Sequence, residues 1–145
     1  MKKSISVLLI AISLILVFSG CKKTNTASES FEVKSGDTFF VKVSMEDSGL
    51  IKSMALTLYS DDSAFEIIDG KWLNHQAVIS DFNKENKDAA IAFKEENNYC
   101  GEIFELEVQA KKDLTIIEGM FDVDAVLKNG QETVACKGIT ISYDK

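Results

Sequence analysis

From Phe31 onward the apolar residues recur at every second position, the period of strands with one buried face. Phe39, Val41, Val43 and Met45 alternate with Phe40, Lys42 and Ser44. Met54, Leu56 and Leu58 alternate with Ser53, Ala55, Thr57 and Tyr59. Phe104, Leu106, Val108 and Ala110 alternate with Glu105, Glu107 and Gln109, a one-sided pattern with acids on the wet face. Ile91 and Phe93 form a shorter run. Between 134 and 143 the apolar positions are first even (Val134, Cys136) and then odd (Ile139, Ile141, Tyr143), with Gly138 at the change, where a bulge or kink is expected. Turn-forming clusters separate the runs: Ser35-Gly36-Asp37, Asp47-Ser48-Gly49, Asp61-Asp62-Ser63, Asn97-Asn98, Lys111-Lys112-Asp113 and Asn129-Gly130. The spacing predicts about nine strands in an all-β sandwich of jelly-roll or immunoglobulin-like type. Phe65, Ile67 and Ile68 assign 64–72 to a strand, whereas 69–87 is the least regular stretch and admits a short helical turn. The core is expected from Val41, Val43, Leu56, Leu58, Phe93, Phe104, Leu106, Val108, Ile139 and Ile141.

The first 30 residues follow another logic. Lys2 and Lys3 precede an apolar run from Ile5 to Phe18, and Ser19-Gly20-Cys21 follows. That run is shorter than the ~20 residues a membrane-crossing helix needs. A positive start, a short apolar stretch and small residues before a processing point are the anatomy of a cleaved export signal. Val17-Phe18-Ser19-Gly20-Cys21 resembles the lipobox of bacterial lipoproteins, with Phe18 where Leu is usual. The resemblance implies cleavage after residue 20 and a lipid on Cys21. Residues 21–30 are polar and aperiodic, too poor in apolar area to offset their ordering entropy, and read as a flexible tether. The division expected is therefore a signal peptide at 1–20, a lipidated tether at 21–30 and one domain at 31–145. Such a protein is exported and held outside the cytoplasmic membrane, at the cell surface, by its lipid alone.

Charge narrows the partners. Of 16 lysines, two lie in the leader, while all 23 acids lie beyond it, so the processed chain carries 14 minus 23, or −9. A negative surface argues against nucleic acid and against anionic lipid head groups. Of three cysteines, lipidation would use Cys21. Cys100 and Cys136 then form a bridge or remain two small thiols, and the sequence leaves both open.

Chemistry for catalysis is thin. His75 is the sole histidine, which excludes a multi-histidine metal site, and no glycine-rich phosphate fingerprint occurs. No cofactor or catalytic residue is assigned. Asp61 with Asp62, and Asp122 with Asp124, lack the spaced ligand pattern of a calcium loop and read as turn-capping residues. Trp72, Phe82 and Tyr99 would form a sugar-stacking platform if exposed, or pack the core if not. Glu102, Glu105 and Glu107 read as a solvated strand face that discourages edge aggregation.

The order of motifs resembles that of cohesin domains. Val33-Lys34-Ser35-Gly36-Asp37 is similar to a V-x-x-G-D opening. Leu56-Thr57-Leu58-Tyr59-Ser60-Asp61 resembles a strand ending in a Tyr-Asp turn, with one residue inserted. Phe65-Glu66-Ile67-Ile68, Gly101-Glu102-Ile103-Phe104-Glu105-Leu106-Glu107-Val108, Gly119-Met120-Phe121-Asp122 and Asn129-Gly130 follow in the family's order. Together they span nearly all of 31–143. The resemblance implies a nine-stranded jelly roll that binds a dockerin-like module without catalysis, in a setting of polysaccharide degradation. It places the contact face on the strand of Lys52, Ser53, Ala55, Thr57 and Tyr59 and on that of 89–94. Departures are a shortened stretch between 69 and 90, and Ser53 and Ala55 near positions where many cohesins use Asn and Asp. Two alternatives remain open: a carbohydrate-binding lipoprotein that captures polysaccharide, and a structural envelope lipoprotein.

Overall fold

The computed structural model describes residues 29–145. The expected leader at 1–20, the lipid site Cys21 and the tether as far as residue 28 lie outside the described residues. Eleven strands run in order: β1 Phe31–Val33, β2 Thr38–Asp47, β3 Leu50–Ser60, β4 Phe65–Trp72, β5 Ile79–Asn83, β6 Asp88–Asn98, β7 Gly101–Ala110, β8 Leu114–Ile116, β9 Phe121–Asn129, β10 Glu132–Val134 and β11 Lys137–Asp144. There is no helix among the described residues. Nine strands make two main sheets, ordered β11-β2-β7-β4 and β10-β9-β3-β6-β5, and β1 pairs with β8 in a separate ribbon. Every pairing is antiparallel. The fold is an all-β sandwich, as the period of two implies.

The two sheets meet through aromatic rings. Phe121 on β9 lies 4.8 Å from Phe65 on β4 and 6.0 Å from Phe39 on β2, centroid to centroid. At the opposite side Phe82 on β5 reaches Phe104 on β7 at 5.5 Å. Edge-to-face and tilted pairs such as these add to simple area burial. Gly70 makes the second crossing possible: a Cβ there would stand 2.7 Å from the Phe82 ring and 2.8 Å from that of Phe104. Nine of the ten expected core residues are buried, and Ile141 is only partly so, because β11 is a sheet edge.

Where the structure departs from expectation, the cause is local. The stretch 69–87 holds no helical turn; its first residues continue β4 and its end forms the β5 hairpin strand. A register shift between Ile67 and Asp69 turns Ile68 outward. Gly138 kinks rather than bulges: its φ is +58°, yet β11 keeps a continuous register with β2. Asp122 and Asp124 sit on β9, not in a turn, and Asp61 alone fits the capping role, accepting from the Ser63 N–H at 2.8 Å.

Candidate docking face

The outward face of the five-stranded sheet gathers the residues expected to meet a partner. β3 lies near its middle, and its inward residues Met54, Leu56 and Leu58 are buried, which points Ser53, Ala55, Thr57 and Tyr59 to the other side. Lys52 is exposed at a register shift between Ile51 and Ser53.

Strand pairing extends the face across four strands. Ser53 stands between Lys128 of β9 and Ala92 of β6, and Ala92 pairs with Ile79 of β5. One row on, Ala55 stands between Val126 and Ala90, with Asp81 beyond. The next row reads Asp124, Thr57, Asp88 and Asn83, and the last reads Asp122 and Tyr59. The centre is thus a patch of Ser and Ala flanked by exposed apolar residues: Ile79 is 64% exposed, Val126 49% and Tyr59 49%. Small residues keep the backbone plane low, so a partner can approach it closely. Acids mark one end, where the Tyr59 hydroxyl donates to Asp124 Oδ2 at 3.1 Å. That hydrogen bond, with burial and the charges of Asp124, Asp88 and Asp122, holds the Tyr59 phenol above its usual pKa.

The other assigned residues fall elsewhere. Trp72 and Tyr99 are buried, 6.2 Å apart, and Phe82 is half-buried against Phe104, so the three form no exposed sugar-stacking platform. Tyr99 is fixed from both ends. Its N–H donates to Ser48 Oγ at 2.7 Å, and its hydroxyl donates to the carbonyls of Ile103, at 2.8 Å, and Leu73. Burial drives its phenol far above the ordinary range. The Trp72 indole N–H donates to the Asp81 carbonyl at 3.2 Å, tying β4 to β5. Cys100 is a free, exposed thiol in the turn between β6 and β7, so the Cys100–Cys136 bridge is not formed. His75 caps its own loop, accepting from the Ala77 N–H at Nδ1. Among the described residues no group of three or more His, Cys, Asp or Glu side chains is arranged to hold a metal ion.

The sequence reading missed Val126, Ile79, Asp81 and Asp88 as members of the face. Alternation along β9 put Val126 and Asp124 on the outward side, but no local signal says that β9 pairs with β3.

No family model and no curated protein sequence matches the chain. Among solved structures it is similar to a chain of a type I cohesin–dockerin complex from Clostridium thermocellum, with 14% identity and a TM-score of 0.50. The match covers 83% of this chain and 97% of that one. The likeness is one of fold: the chain carries a cohesin-like β-sandwich.

Proposed function

We propose that this protein is a non-catalytic, exported lipoprotein whose sandwich binds a dockerin-like protein module at the cell surface, in the service of polysaccharide degradation. The observation that carries the reading is the outward face of the five-stranded sheet. It offers a low centre of Ser53, Ala55, Ala90 and Ala92, an apolar flank of Val126 and Ile79, and a polar rim. Mixed apolar and polar composition of this kind suits a protein partner, whereas a sugar-capturing sheet would expose a row of aromatic rings. The cohesin-like fold supports the same reading. The export signal and lipidated Cys21 rest on the leader, and would place the module where a secreted enzyme could meet it.

Two experiments test it. Titration of the protein with a recombinant type I dockerin is expected to give a complex burying about 800 Å² on each partner, the scale of a stable interface. Ala55→Asp puts a charge at the centre of the face and should weaken the complex at least tenfold while the fold persists. Retention on soluble glucan in affinity electrophoresis, with no dockerin bound, would establish carbohydrate capture instead. For the anchor, Cys21→Ala should release the protein from membranes or leave an unprocessed precursor, and mass spectrometry of a normally processed, unlipidated wild type would exclude the lipid.

A further inference from the structure

The docking face is electrically polar along its strands. At one end stand Asp81, Asp88, Asp122 and Asp124, contributed by β5, β6 and β9. At the other end stand Lys52, Lys94 and Lys128, from β3, β6 and β9, with Glu95 and Glu96 beside them. Of the cations near the acidic end, Lys87 is engaged by Asp62 and by Ser60, whose Oγ accepts at 3.0 Å, and Lys84 lies on the exposed hairpin turn.

Within the acidic end there is a depression of about 440 Å³, lined by Ala55, Thr57, Asp81, Asn83, Asp88 and Ala90 among others. Its floor is small side chains, and its walls are two carboxylates and an amide. Asp81 pairs with Ala90 and Asn83 with Asp88, so Asp81 and Asp88 are diagonal neighbours across one strand pair, about 7–8 Å apart. That gap is too wide for the carboxylates to share a proton and wide enough to admit a cationic head between them. The Asn83 carbonyl oxygen is already used, accepting from the N–H groups of Glu85 and Asn86 at 3.0 and 3.1 Å, which fixes the wall of the depression.

We propose that this depression receives a basic side chain, guanidinium or ammonium, from the protein partner, and that the lysine end of the face meets an acidic one, so that the partner docks in a single orientation. The proposal rests on the protein-binding reading above and names the chemistry of the partner's contact strip: small apolar residues with a cation at one end. Reversed docking would set cation against lysine and leave both carboxylates facing apolar or acidic groups, and like-charge juxtaposition is the stronger discriminator. Because these charges sit at the surface, they act chiefly on the association rate and are screened over about 10 Å at 0.1 M salt.

The test uses the chain from residue 21 with Cys21→Ala, since every buried apolar residue lies between Val33 and Ile139. Two probes are titrated. One is a recombinant type I dockerin, followed by stopped-flow kinetics. The other is a capped, alanine-based helical peptide bearing two arginines near one end, followed by amide shifts in NMR. Shifts centred on Asp81, Asp88 and Ala90, abolished when the arginines become glutamine, support the site. So does a tenfold or greater drop in dockerin affinity in Asp81→Asn/Asp88→Asn, with a flatter salt dependence. If Ala55→Asp blocks the dockerin while the double variant binds it unchanged at every salt concentration, the cation site is wrong and the docking face stands. If neither variant affects the dockerin, the face itself is wrong. A dockerin that does not bind, together with peptide shifts absent or scattered elsewhere, overturns the site as well.

Discussion

The two outward faces of the sandwich are built from the same strand period and have opposite characters. On the four-stranded sheet, Lys42 stands between Ser142 and Glu105, and Glu105 stands opposite Lys71. The Lys71 ammonium is 2.9 Å from Glu105, and Lys42 reaches Asp144 at 3.4 Å and Glu102 at 3.8 Å. Lys71 is held above its usual pKa chiefly by the hydrogen bond to Glu105 and then by that carboxylate's charge. Long side chains of both signs satisfy one another across the strands and cover the sheet. On the five-stranded sheet the corresponding positions are Ser, Ala and Thr, and charges of like sign collect at one end. The first surface has its electrostatics answered within the chain. The second has apolar centre and charge alike left for something else to meet. Strand pattern alone does not separate a solvated face from a docking face; the size and sign of cross-strand neighbours does.

If that contrast is real, damage to the shared core should erase both faces together. Phe121→Ala removes the ring that joins Phe39 and Phe65 across the sandwich and should cost about 3–5 kcal/mol, a large part of a single domain's stability. Urea unfolding would show it as a lower midpoint, with binding lost only in proportion to the unfolded fraction. Gly138→Ala comes next. A Cβ there would lie 2.6 Å from Glu46 Oε2 in a left-handed backbone, and a cost on the order of 1–3 kcal/mol is expected. Its effect should fall on the four-stranded sheet and leave the affinity of the folded protein unchanged.

Smaller changes sharpen the comparison. Lys42→Ala with Lys71→Ala opens the charged lattice, and exposed pairs of this kind contribute little. Thermal melts should show a slight loss that disappears in high salt, and dockerin affinity should be unaltered. A marked loss of affinity would mean that the charged face is also a contact surface. The smallest effect is expected at Asp61, whose carboxyl is held below its usual pKa by the hydroxyl and N–H of Ser63. A depressed native pKa stabilises the fold above the unfolded value near 4 and ceases to do so as pH falls through the native one. Asp61→Asn should therefore melt slightly below wild type at pH 7 and level with it near pH 3.

How much of this was legible in the sequence depends on whether the signal was local. β7 could be read outright, because Phe104, Leu106 and Val108 face the core while Glu105 and Glu107 face water. The β3 half of the docking face was legible for the same reason, since Ser53, Ala55 and Thr57 alternate with buried residues. The β9 and β5 contributions were not, because they depend on pairing between segments that lie far apart in the chain. Aromatic residues misled in the same way: nothing near Trp72, Phe82 or Tyr99 in sequence reveals Gly70, whose missing side chain lets Phe82 turn inward. Strand boundaries at 69–83 were hidden by the register shift after Ile67, which breaks the alternation that would have marked them.

The anchoring of Tyr99 and the one-sided pairing of β5 also set a gradient of motion across the docking face. β3 is hydrogen-bonded on both flanks, and the turn beside it is locked by Ser48 and Tyr99. β5 is bonded through β6 alone, held otherwise by the Trp72 indole and a half-buried ring. Its amides should exchange with solvent through local opening, while those of Ala55 and Leu56 wait for global unfolding. A ligand that grips the β5 side therefore closes a breathing edge onto a fixed platform, and its arrival would be visible first as slowed deuterium uptake at Ile79–Asn83.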